Sequence, residues 1–350
     1  MSSQVRIGGV WKDFFNYLSK QSKQCCTIKN LSQDPKKSIY VAKICDSTIV
    51  TNYSKNFEND NKNKLYLAPN SRLFIAVIPN GSNIFYTLFC CNMTMENVHS
   101  KFNNFGLALE GCFNVEPITM LPSFYQGYEY SKFTGDIVTV LKKIKSKDIE
   151  IITTTSANIL YEQSFLVIDD HNIISIVDSK QFKNYQSKGI NVQYIEGKKL
   201  FSNGEPFVEF DTIKKVNITN NDGSTKEING SDVTIDYDNN FININKHVYD
   251  FSEINKTISF TNQEFFDMDN GLLVLAIDKN DNVFILYHRH IDFYNMLLLL
   301  KMFNCKDAIL LCNSVNANII WKESGFNTYN KTDFIGNPKT NLSNIITISG

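Results

Sequence analysis

The sequence predicts an α+β fold, a strand-dominated mixed sheet with a few packed helices. Short β-branched and aromatic runs alternate with Asn, Asp and Gly turn residues through most of the chain. Helical texture is confined to an aromatic amphipathic stretch near the N-terminus, a short piece near residue 95, and an almost wholly apolar stretch at 291–304. No repeat of about 20–50 residues divides the chain.

In Val10–Leu18 the apolar positions 10, 11, 14, 15 and 18 share one helical face. The polar run 56–64 then reads as a linker, setting residues 1–65 apart as an N-terminal extension from a domain over 66–350. Arg72–Pro79 and Asn83–Cys91 are strand-like and parted by Asn80-Gly81, a hairpin signal. A short helix over Met93–Phe102 and a strand over Leu107–Phe113 follow. Phe165–Val177 reads as a hairpin turning at Asp169-Asp170, whose carboxylates suit a turn. Strands alternate through 213–262 around Asn221-Asp222-Gly223 and Asp238-Asn239-Asn240. Leu272–Asp278 and Asn282–His288 pair about Lys279-Asn280-Asp281. The helix at 291–304 is too apolar for a surface position and leads to a buried strand, Ala308–Cys312. Ile345–Ile348 closes the chain as a strand.

Hydrophobic residues make up 43% and aromatics 13%, enough for a sizeable core in 350 residues. A net charge of −1 gives no long-range attraction to nucleic acid, and Lys142-Lys143-Ile144-Lys145 reads as a solvated helix face. No apolar run has signal-peptide form or membrane-spanning length, so neither export nor a membrane partner is expected. The eight cysteines include the adjacent pairs Cys25-Cys26 and Cys90-Cys91 and show no Cys-x-x-Cys spacing for zinc. Reduced thiols and a cytoplasmic location, or the nucleus of an infected host cell, are the expectation. The heavy use of Asn, Lys and Ile suggests an AT-rich genome of viral type and makes the Asn-x-Ser/Thr sequons compositional.

His288-Arg289-His290 sets two imidazoles on one face at a strand end, but no thiol or carboxylate stands at ligand spacing. The pair reads as structural or surface histidine. There is no Walker loop, dinucleotide fingerprint, Gly-x-Ser-x-Gly or His-Glu-x-x-His. Neither a cofactor nor a metal is expected.

Four segments carry more. Leu107-Ala108-Leu109-Glu110-Gly111-Cys112-Phe113 is the first, and Val192-Gln193 with Gly197–Gly204 the second. Asn270-Gly271 with Val274–Asp278 is the third, and Phe293–Asn318, including Asn304-Cys305-Lys306-Asp307-Ala308, the fourth. In this order they resemble the phosphodiester glycosidase family, that of the lysosomal uncovering enzyme and its bacterial relatives. The departures are equally specific. Glu110 stands where the family has Asn, and Asp269 is nearest to the place of its Arg. Cys312, Asn313 and Asn316 replace the loop's Asp-Gly and second Ser.

The resemblance implies action on a sugar- or nucleotide-linked phosphodiester, with Glu110 as general acid or base. An apolar strand end would lift its carboxyl pKa into a useful range. It also implies that Gly111, Gln193, Gly197, Asn313, Ser314 and Asn316 line the substrate. The rewritten positions open the alternative of a catalytically inactive descendant that binds a small ligand or a protein partner. Losing the Arg removes a planar cation suited to a phosphate.

Overall fold

The computed structural model describes residues 7–55, 65, 67, 71–100, 102, 104–111, 163–188, 192–206, 271–291, 293–313, 317–325, 334–337, 339 and 341–350, with isolated strands elsewhere. Its first strands are β1 (Cys26–Asn30), β2 (Tyr40–Ile44), β3 (Leu73–Ile78), β4 (Phe85–Thr94) and β5 (Gly106–Glu110). Then come β6 (Pro117–Leu121), β7 (Tyr130–Phe133), β8 (Lys142–Lys143), β9 (Gln163–Asp169), β10 (Ile174–Asp178), β11 (Val192–Ser202) and β12 (Glu205–Pro206). Six short strands follow: β13 (Val216–Thr219), β14 (Thr225–Ile228), β15 (Val233–Asp236), β16 (Phe241–Ile244), β17 (His247–Asp250) and β18 (Ile258–Phe260). The last are β19 (Leu272–Asp278), β20 (Val283–His288), β21 (Cys305–Asn313), β22 (Ile319–Lys322), β23 (Phe334–Ile335) and β24 (Asn341–Ser349). The helices are α1 (Gly9–Ser19), α2 (Thr48–Ser54), α3 (Met95–His99), α4 (Ser179–Ser187) and α5 (Phe293–Met302).

The large sheet runs β1-β2-β3-β20-β19-β21-β11-β9-β10, with β8 and β12 on β11. A second sheet runs β23-β22-β5-β24-β4, and the described ladders of both are antiparallel. β3, β19 and β20 are buried along their whole length, which is why they read as unbroken apolar runs and not as alternation. Leu73, Ile75, Val77, Phe284 and Leu286 face α1 and α5, in one core with Trp11, Phe14 and Leu300. Phe74, Ala76, Ile285 and Tyr287 face the second sheet, in a core with Leu107, Leu109, Trp321 and Ile346. α1 with α5, the large sheet and the second sheet thus form three layers, α3 packs on the far face of the second sheet, and the α+β class read from the sequence is the one observed.

Two hairpins share one turn chemistry. Asp169 Oδ1 accepts from the N–H groups of His171 and Ile173, and Asp278 Oδ1 from those of Asn280 and Asn282. The fourth turn residue, Asn172 or Asp281, takes a positive φ of 63° or 59°. Asn and Asp tolerate that conformation best among non-glycine residues. β13 pairs with β14 and β15 with β16, on either side of the expected turns near 222 and 239, which themselves lie outside the described residues.

Two expectations are corrected. Asn80-Gly81 does turn, with Ser82 N–H bonded to Pro79 O at 3.1 Å, but β3 and β4 do not pair. Both edges of β3 are taken, by β2 and β20, so the chain crosses to the second sheet and β4 pairs with β24. Lys142-Lys143 is no helix face but the short strand β8, paired with Gln193-Tyr194.

The large sheet also runs across the boundary drawn after residue 65. β1 and β2 extend it through β3, and the α1 residue Trp11 stacks on Phe303 at 4.2 Å. Among the described residues, Cys25, Cys26, Cys45, Cys305 and Cys312 form no disulfide, and no helix is long and apolar enough to cross a membrane.

Candidate functional site

Glu110 ends β5, where its neighbour across the ladder is Ile345. Its N–H donates to Asn318 O at 2.9 Å. In return the backbone N–H and the Nδ2 of Asn318 both donate to Glu110 Oε2, at 3.0 and 2.9 Å. Asn318 Oδ1 accepts from Asn337 N–H at 2.8 Å. A Cβ at Gly336 would lie 2.5 Å from that same Oδ1, so only glycine lets 334–337 close on Asn318. Oε2 is therefore fixed by two donors, while Oε1 has no hydrogen-bond partner among the described residues. Burial pushes the Glu110 carboxyl above its ordinary value, and the two Asn318 bonds offset this in part.

Tyr287 lies beside it, buried on the β20 face that meets the second sheet. Burial raises its phenol, with Cys312 and Glu110 adding to the effect. The Ala317 backbone and the Arg289 guanidinium oppose it. Glu110, Tyr287, Arg289, Cys312 and 317–318 thus gather at one end of the gap between the sheets. A carboxyl with one anchored and one open oxygen, a phenol and a guanidinium can exchange a proton, donate a hydrogen bond and hold an anion.

The other expected site residues fall as follows. Gly111 is buried directly after Glu110. Asn313 ends β21 opposite Leu272; Ser314 and Asn316 lie outside the described residues. Gly197 is also buried, but the space beside its backbone is filled by β21, where a Cβ would stand 2.5 Å from Leu310 O. Its small size thus serves strand packing and not the approach of a ligand. Gln193 Oε1 accepts from Leu88 N–H at 3.0 Å, tying β11 of the large sheet to β4 of the second. Glu110, Gly111 and the flanks of the 314–316 loop come together, while Gly197 and Gln193 are engaged in structure.

Sequence reasoning missed Asn318, Tyr287 and Arg289. Arg289 was legible: a hairpin turning about residue 280 pairs 272 with 288 and so sets 289 opposite 271. A cation therefore stands at the end of this hairpin, although Asp269, which lies outside the described residues, is nearest to the place of the expected Arg. His288 is wholly buried, with Nδ1 accepting from His290 N–H at 3.2 Å and its pKa lowered by burial to about 3. That fits the structural role read from the sequence.

Two other places gather polar side chains. Asp169, Asp170 and His171 bring ligand-type atoms within 4.8 Å of one another, but Asp169 is committed to its turn. A groove of about 680 Å³ lies at the opposite end of the sheet, between the 79–82 and 281–283 turns, with Tyr86, Ile173, Lys306 and Asp307 in its walls. Lys306 there is bonded to Asp281 and Asp307 to Asn203 N–H, so its charges are spent within the protein.

No protein-family profile matches the chain, and no curated protein matches it in sequence. Among solved structures it is similar to the zebrafish N-acetylglucosamine-1-phosphodiester α-N-acetylglucosaminidase catalytic domain auto-inhibited by its pro-peptide. The identity is 11% and the TM-score 0.44, over 96% of this chain and 92% of that one. A protein of Burkholderia pseudomallei is similar at 7% identity and TM-score 0.39, over 93% of this chain and 96% of that one. A protein from Synechocystis is similar at 9% identity and TM-score 0.32, over 89% of this chain and 62% of that one. Likeness at this level assigns no activity to the chain, and its chemistry rests on its own residues.

Proposed function

We propose that the protein hydrolyses a sugar- or nucleotide-linked phosphodiester at the end of the gap between the sheets, with Glu110 exchanging the proton. The observation that carries this reading is the asymmetry of the Glu110 carboxyl. Two Asn318 donors fix Oε2, and Oε1 is left without a partner among the described residues. A water adding to the ester gives its proton to Oε1, which passes it to the leaving oxygen as the ester bond breaks. One water is consumed, and Glu110 ends as it began. Burial brings the carboxyl closer to working pH than an exposed Glu, as such a shuttle requires.

A second reading, a binding module without turnover, draws on the same contacts, because Glu110 also holds Asn318 and through it Asn337. The test is wild type against Glu110→Gln on a sugar 1-phosphodiester and a nucleoside phosphodiester, following both cleavage and ligand binding. Gln keeps an acceptor for Asn318 and loses the exchangeable proton. The hydrolase reading expects cleavage to fall by about 100-fold or more while binding persists. Binding by an inactive wild type would support the module.

A further inference from the structure

The chain has 35 Lys and Arg residues, and only three of these are Arg: Arg6, Arg72 and Arg289. The last two stand side by side. The β3–β20 register ends with His288 opposite Leu73, and one step further Arg289 N–H donates to Arg72 O at 3.4 Å, setting the two arginines opposite each other. Carrying the alternation of β3 and β20 one residue past their ends assigns both to the side of Phe74 and Tyr287, which faces the second sheet. Both are exposed, and neither makes an ion pair with a carboxylate among the described residues. Arg289 acts electrostatically on Tyr287, as Glu110 does. Like charges directly opposite in a ladder repel unless an anion lies between them.

We propose that Arg72 and Arg289 form a two-guanidinium clamp for a phosphate-type oxyanion at the rim of the gap between the sheets. Each planar guanidinium offers paired donors to two oxygens of one phosphate, which a lysine does not. The anion neutralises the repulsion and lies next to Tyr287 and the Glu110 carboxyl. The clamp rests on the reading of this end of the gap as the ligand site, and names the group of the ligand it would hold. Its oxyanion is either free phosphate or the phosphate of an esterified ligand.

The experiment is thermal unfolding and calorimetric titration of the full chain in low-salt, phosphate-free buffer. Inorganic phosphate, dimethyl phosphate and a sugar 1-phosphate are added in separate arms. Wild type should gain melting temperature with inorganic phosphate, and a larger gain with the sugar ester would identify the esterified group as the ligand. Arg72→Gln and Arg289→Gln should melt up to about 2 °C higher than wild type without anion, through relief of repulsion. Both should then lose the phosphate-induced gain. Arg289→Lys, which keeps the charge and loses the fork, should bind phosphate at least threefold more weakly. No phosphate effect on wild type, or an equal effect on wild type and variants, would overturn the clamp. Cleavage that depends on Glu110 would in that case still stand, whereas phosphate binding without cleavage would count against the hydrolase and not the clamp.

Discussion

Trp11 Nε1–H donates to Asp278 Oδ2 at 2.9 Å, a buried bond between residues 267 apart in the chain. The same oxygen accepts from Asn282 Nδ2 at 2.7 Å, while Oδ1 holds the turn N–H groups of Asn280 and Asn282. The N-terminal helix therefore helps to satisfy the carboxylate that shapes the central hairpin. Trp11→Phe keeps most of the packing and removes the donor, which should cost about 1.5–3 kcal/mol in urea unfolding. Removing residues 1–64 would also strip β1 and β2 from β3, exposing an apolar sheet edge. We propose that residues 1–65 are part of the core, so that the truncated chain aggregates. A soluble, cooperatively unfolding truncation would restore the boundary after residue 65.

Gly197 gives a sharper test of the β11–β21 seam. A Cβ there would stand 2.5 Å from Leu310 O and 2.7 Å from Ile309 Cγ1. Backbone cannot yield as a flexible side chain can, so Gly197→Ala should destabilise by about 1–3 kcal/mol. It should also speed amide exchange at Ile309 and Leu310. An unchanged midpoint would mean that the two strands are less closely packed than described.

His288 makes stability fall on the acid side. Its folded pKa, lowered to about 3 by burial, lies below the ordinary 6.5, so the unfolded chain binds the extra proton between those values. Stability from this group is complete above about pH 6.5 and drains as the pH falls towards 3. The drain is on the order of a few kcal/mol. His288→Leu should flatten that loss. Parallel pH profiles for wild type and variant would contradict this, because they would mean that His288 titrates alike in the folded and unfolded chains.

Local signals carried much of the fold. The hairpins at 163–178 and 272–288 were readable because an Asp at the turn and apolar runs on either side are short-range features. What pairs with β3 was not readable, since β2 and β20 are brought in from either direction and the adjacent Asn80-Gly81 signal competes with them. The site divides in the same way. Glu110 stood out as a carboxyl in an apolar strand, but its partner Asn318 lies 208 residues away and in no motif with it. Arg289 required carrying the hairpin register one residue beyond its end. Gly197 looked like a ligand-contact glycine because sequence shows the missing Cβ and not what fills its place.

The most direct test of Glu110 as the proton-exchanging group is the pH dependence of kcat/KM for a sugar 1-phosphodiester, measured on wild type and Glu110→Gln. The wild-type profile should show an acid limb displaced above the ordinary carboxyl value of 4.5, because burial raises the Glu110 pKa. In Glu110→Gln that limb should vanish, and the rate should fall by about 100-fold or more with the fold intact. A variant that retains both the wild-type rate and the same acid limb would contradict the account.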